Sequence, residues 1–93
     1  MSGAGGRHAR IEVQDQGGGL FRVRIATGGE HTVRASPVVL SRVARPGELP
    51  AGTVERAFVF LLEREPPGSI LRSFALEDIA RYFPEFWTEM TTS

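Results

Sequence analysis

The chain changes its hydrophobic period once, and abruptly, at Ser36-Pro37. Before that point apolar side chains recur at every second position: Ile11 and Val13 alternate with Arg10, Glu12 and Gln14, and Phe21, Val23 and Ile25 alternate with Arg22 and Arg24. Such alternation marks half-buried strands, because successive side chains of a strand point to opposite faces. After that point the apolar residues recur at third and fourth positions, as in Leu76, Ile79, Ala80 and Phe83. That spacing keeps them on one side of a helix. Strands first and helices afterwards predict an α+β fold: an antiparallel two- or three-stranded β-meander followed by three helices packed on one face.

Glycine and proline place the boundaries. The first strand is predicted over about 9–15 and the second over about 20–26, joined through Gly17-Gly18-Gly19, which can take the positive φ values a hairpin turn needs. Thr27-Gly28-Gly29 makes a second turn, and His31 to Ala35 a shorter third strand with Val33 and Ala35 opposite Thr32 and Arg34. Ser36 is a favoured N-cap and Pro37 a favoured first helical residue, so a helix is expected to about Ala44. The loop through Pro46-Gly47 and Pro50 leads to the most apolar element, a helix expected over about 53–65. Val54, Ala57, Phe58, Leu61 and Leu62 form its stripe, while Val59 and Phe60 extend the apolar surface round its middle, which suits a central helix packed on two sides. Pro66-Pro67-Gly68 ends it. A short helical turn is expected over 69–74, a third helix over 76–83 with a Glu77–Arg81 ion pair, and a last turn over 85–90 bearing Phe86 and Trp87.

Residues 1–8 carry three glycines and nothing apolar enough to bury. Ordering them would cost roughly 1–2 kcal/mol per residue without offset, so a disordered tail is expected there, leaving 9–90 as one α+β domain. The longest unbroken apolar run, Ala57 to Leu62, falls far short of the roughly 20 residues that cross a bilayer. No membrane association is therefore expected, and with no apolar segment at the N-terminus to read as a secretory signal the expected location is cytoplasmic.

Chemistry has few residues to work with. There is no cysteine and no lysine, and the two histidines are His8, in the tail, and His31, beside a turn. A thiolate metal site is excluded and imidazole ligands are scarce, so no metal or other cofactor is expected. Neither glycine run opens a helix or precedes Lys-Ser/Thr, as a phosphate loop would require. Glu77 and Asp78 are adjacent on a helix and point about 100° apart. No nucleophile with its base emerges, and the chain is expected not to be an enzyme.

Charge is more informative. Residues 1–46 hold seven arginines against three acids, and residues 47–93 four arginines against eight acids, so a net charge of zero conceals halves of +4 and −4. If the apolar face of the sheet covers the helices, Arg10, Arg22, Arg24, Thr32 and Arg34 all lie on the other face. That basic surface could meet phosphates or an acidic partner.

Two resemblances accompany this reading. From His31 to Glu65, a short strand with outward Thr32 and Arg34, a helix opened by Ser36-Pro37, a glycine-bearing loop and a longer helix beginning Gly52-Thr53-Val54 resemble the ribbon-helix-helix order of small bacterial repressors and antitoxins. The resemblance implies a dimeric DNA-binding regulator in which Thr32 and Arg34 read bases while Gly52 and Thr53 contact phosphate. Phe60-Leu-Leu-Glu-Arg-Glu-Pro66, Ser69-Ile-Leu71 and Arg81-Tyr-Phe-Pro-Glu-Phe86 resemble a signature of small uncharacterised bacterial proteins, which implies no activity. The expectation taken forward is a small non-catalytic binding or regulatory module acting through protein–protein interaction, with an unidentified protein or a second copy as partner. Nucleic-acid binding of the ribbon-helix-helix kind is the alternative.

Overall fold

In the computed structural model, which describes residues 10–26 and 28–91, the alternating segments form strands β1 (Ile11–Gly17), β2 (Leu20–Ile25) and β3 (Glu30–Arg34). They pair antiparallel in the order of the chain, with Val13 opposite Val23 and Phe21 opposite Val33. The first turn depends on its glycines. Gly17, Gly18 and Gly19 all have positive φ, and a Cβ on Gly19 would lie 2.9 Å from the carbonyl oxygen of Ala35. That close approach lets the Gly19 carbonyl accept from the Ala35 N–H at 2.8 Å, which ties the hairpin to the start of the helical region. The Gly17 N–H donates to Asp15 Oδ1 across the register shift between these two residues, beyond which Gly17 still pairs with Leu20. The expected tail over 1–8 and Thr27 of the second turn lie outside the described residues.

Helix α1 (Pro37–Val43) starts where expected: Ser36 Oγ accepts from the Val39 N–H at 3.2 Å, and Pro37 stands at the first helical position. Helix α2 (Pro50–Leu62) begins and ends three residues earlier than its periodicity suggests. At its start, Pro50 supplies a helical φ without sacrificing a hydrogen bond. At its end, Glu65 precedes Pro66 and is disfavoured in the helical region, so the chain tightens over 63–65 into turns closed on Val59 and Leu61 carbonyls. Thr53, Val54, Ala57, Phe58, Phe60 and Leu61 are all buried in α2, and Val59 and Leu62 half-buried, as expected of a helix covered on two sides. It lies on β1 and β2 and touches α1 and α4.

The segment after Pro66 departs from expectation. Instead of a helical turn over 69–74, a 3-10 turn at Pro67–Ser69 is followed by a fourth strand, β4 (Ser73–Ala75), parallel to β3 with Phe74 opposite Val33. Three residues are too few to show a period, and only the free edge of β3 makes a strand of them. The sheet is therefore four-stranded and mixed, in the order β1-β2-β3-β4. The expected third helix divides into a 3-10 turn, Leu76–Asp78, and a single α-helical turn, α3 (Ile79–Tyr82). The 3-10 winding advances about 120° per residue and takes Glu77 out of line with Arg81, which form no ion pair. Helix α4 (Phe86–Thr91) completes the chain.

One face of the sheet, with Phe21, Val23, Ile25, His31, Val33 and Phe74, packs against the helices in a single core that includes Phe58, Leu61, Leu76, Ile79, Phe86 and Met90. The opposite face stays open. Among the described residues no helix is long and apolar enough to cross a membrane.

Candidate functional site

Alternation does place Arg10, Arg22, Arg24, Thr32 and Arg34 together on the open face of the sheet, the arginines exposed and Thr32 half-buried. The same register brings two glutamates among them. Arg24 lies 4.0 Å from Glu12 and 3.7 Å from Glu30, and Arg22 lies 3.8 Å from Glu30. Exposed pairs of this kind contribute about 0–1 kcal/mol, so they add little stability, but they halve the face's charge. It carries four arginines and two glutamates, not an unopposed basic stripe.

β3 is not an edge. It pairs with β2 on one side and β4 on the other, so neither edge is open to the partner strand that a two-chain ribbon requires. Gly52 and Thr53 do not form an open phosphate site either. They lie inside the first turns of α2, where Thr53 is fully buried and its hydroxyl donates to Glu48 Oε1 at 2.7 Å. Gly52 sits against the Glu48 side chain. The place expected for a phosphate is filled by the protein's own carboxylate.

That carboxylate belongs to a clasp that sequence reasoning missed. Arg56 donates through Nε to Glu48 Oε2 at 2.6 Å and through Nη2 to Oε1 at 2.9 Å, a bidentate fork. Its remaining donors reach the Val43 carbonyl at 2.7 Å and the Met90 carbonyl at 3.0 Å. These oxygens lie in the last turns of α1 and α4, where helical carbonyls lack intrahelical partners. One guanidinium thus caps two short helices and carries positive charge to their negative ends. The Arg56 hydrogen bonds, joined by the Arg45 N–H and the Thr53 hydroxyl and only partly opposed by burial, lower the Glu48 pKa to about 2. Arg42, stacked 4.0 Å over Trp87, makes a second α1–α4 contact.

His31, two residues before Val33, points to the same side of the strand. It is 3% exposed, on the core side of β3, with its ring 5.5 Å from that of Phe58. Nδ1 lies 2.7 Å from the Leu71 carbonyl oxygen, which can only accept, so Nδ1 carries the hydrogen. Nε2 is buried without a hydrogen-bond partner and faces Gly29, where a Cβ would come within 3.2 Å. This bond fastens the stretch before β4 to the sheet.

That stretch forms one wall of a groove of about 220 Å³. Leu61 at the end of α2, Ile70, Phe74, Ile79 and Phe83 form its apolar floor, and Ser69, Leu71, Tyr82, Glu65 and Asp78 complete the lining. Leu71 is 54% and Tyr82 68% exposed. A hint was present in the sequence: five of the eight aromatic residues lie between Phe74 and Trp87, more than a short terminal segment needs for itself. Among the described residues no group of three or more His, Asp or Glu side chains could hold a metal ion. Compared with protein families, curated proteins and solved structures, the chain matches none.

Proposed function

We propose that this chain is a non-catalytic binding module that acts in the cytoplasm through a protein–protein contact, and that the contact surface is the groove between α2, the segment leading into β4, and α3. One observation carries the reading. Two large side chains, Leu71 and Tyr82, stand mostly in solvent beside an apolar floor that is continuous with the core. Single exposed apolar residues are ordinary, but a contiguous apolar patch with polar residues around it is the usual form of an interaction site. The groove is also smaller than the roughly 300–1,000 Å³ typical of small-molecule pockets, which favours an inserted side chain over a free ligand. Its polar groups support binding over catalysis: Glu65, Ser69 and Tyr82 make no hydrogen bond with one another or with Asp78 that would pair a nucleophile with a base.

The test is selection of peptides from a random displayed library on the intact chain, followed by binding of the selected peptides to the Leu71→Asp and Tyr82→Ser variants. Binders that lose affinity about tenfold or more on these changes support the groove, as expected for residues lining a contact centre. No enrichment, or binders indifferent to both substitutions, would remove it. The nucleic-acid alternative gains no comparable support, because β3 is paired on both sides and the open sheet face is partly neutralised.

A further inference from the structure

The groove has a charge as well as a shape. No arginine lines it, while two carboxylates, Glu65 and Asp78, do. Glu65 is in no ion pair among the described residues, and Asp78 uses one oxygen, Oδ2, to accept from the Ala75 N–H at 3.2 Å. Arg64, beside Glu65 in sequence, is committed elsewhere: it bonds Glu85 at 3.0 Å, lies 3.5 Å from Glu63 and stacks 3.6 Å over the Phe60 ring. Arg72 and Arg81, next to Leu71 and Tyr82 in sequence, are exposed and do not line the groove. An apolar slot with uncompensated negative charge at its side is complementary to an apolar side chain with a cation close by.

From this we infer, resting on the binding-module reading above, that the groove's occupant is a basic peptide segment of a partner protein. One large aliphatic or aromatic side chain seats between Leu71 and Tyr82, and a neighbouring lysine or arginine meets Glu65 and Asp78. The mode is side-chain insertion, not strand addition to β4. That strand has three residues, and its last N–H is already taken by Asp78, so it offers little backbone to a further strand. Phosphate-rich partners are disfavoured by the same carboxylates. A second copy of the chain offers Leu20, Val38 and Leu49 as exposed apolar side chains, and a contact through any of them would raise the mass of the particle with concentration.

The deciding experiment displays random twelve-residue peptides to the intact chain, synthesises the most enriched sequence with a fluorescent label, and measures its affinity by anisotropy. Wild type, Leu71→Asp, Glu65→Gln and Glu65→Lys are compared at low and high salt. The expected result is enrichment of a large apolar residue with lysine or arginine nearby, affinity that falls with salt, and a loss of about tenfold or more on Glu65→Lys, with a smaller loss on Glu65→Gln. Enriched peptides without basic residues, sensitive to Leu71→Asp but not to Glu65→Lys, would overturn the charge assignment and leave the groove standing. Binding indifferent to Leu71→Asp, or no enrichment, would overturn the groove itself. Sedimentation of the unliganded chain covers the remaining occupant: mass that rises with concentration and falls back on Leu71→Asp would assign the groove to a second copy and overturn the peptide proposal. Thermal melts of each variant should match wild type, because Leu71 is largely exposed and the Glu65 side chain forms no hydrogen bond or ion pair among the described residues.

Discussion

Glu48 and Arg56 show how much one pair of side chains can organise. Their bidentate contact is mostly shielded from water, and it fills the backbone acceptors of two helices too short to be stable alone. Because the Glu48 pKa falls from an ordinary 4.5 to about 2 on folding, its contribution is complete above pH 4.5 and is lost as pH drops towards 2. The amount is on the order of 2–3 kcal/mol. Denaturant titrations across that interval should show stability falling with acid, and Glu48→Gln should remove much of the slope. Arg56→Met should cost more, about 3–5 kcal/mol at neutral pH, since it leaves a sequestered carboxylate without its cation, held only by the Arg45 N–H and the Thr53 hydroxyl, and removes a donor from two helical carbonyls. At Leu61, where α2 meets both the core and the groove floor, truncation to alanine is expected to cost about 2–5 kcal/mol. A denaturation midpoint unchanged within error would mean that α2 is not the central helix.

Among the elements, α2 and the chain after Pro66 depend on each other. Phe60 meets Phe83 and Phe86 edge-on at ring separations of 6.1 and 5.3 Å, and Phe58 meets Phe74 at 5.9 Å. No later element is long: β4, α3 and α4 have three, four and six residues, so each relies on α2 and the sheet for its conformation. Truncation after Glu65 should therefore expose the apolar flank of α2 and yield an aggregated or unfolded fragment. A truncated chain that stays monomeric and unfolds cooperatively would identify the C-terminal segment as detachable. In the intact protein, half-buried Trp87, between Phe86 and Arg42, should emit to the blue of free tryptophan and shift to the red on unfolding.

Across the whole molecule, the opposite charges of the two halves of the chain appear on different surfaces. The basic half supplies the open sheet face, with glutamates among its arginines, and the acidic half supplies the groove. Electrostatic attraction for duplex DNA should be weak, and titration of labelled duplex is expected to show no binding at physiological salt. If duplex did bind through the arginine face, affinity would fall with salt at a slope of roughly −0.9 per phosphate contact, and replacing Arg22 and Arg24 together would flatten that slope by about two units.

What the sequence determined by itself was whatever rests on neighbours along the chain. The alternation of Phe21, Val23 and Ile25, the glycines of the first turn, the Ser36-Pro37 helix start and the stripe on α2 each follow from a few consecutive residues, and with them the α+β class and the shared face of Arg10, Arg22, Arg24, Thr32 and Arg34. What only the tertiary structure decided rests on residues far apart in the chain. β4 has too few residues to declare itself and exists because Thr32 and Val33 face Ser73 and Phe74, about forty positions away. The same pairing closes the second edge of β3, and the bond from His31 to the Leu71 carbonyl sets the groove wall across a similar span. Arg56 reads locally as one surface cation on a helix; only packing brings Glu48, Val43 and Met90 to its donors. Periodicity tells which side of an element is buried, but not what comes to lie against it, and both the clasp and the groove are made of such meetings.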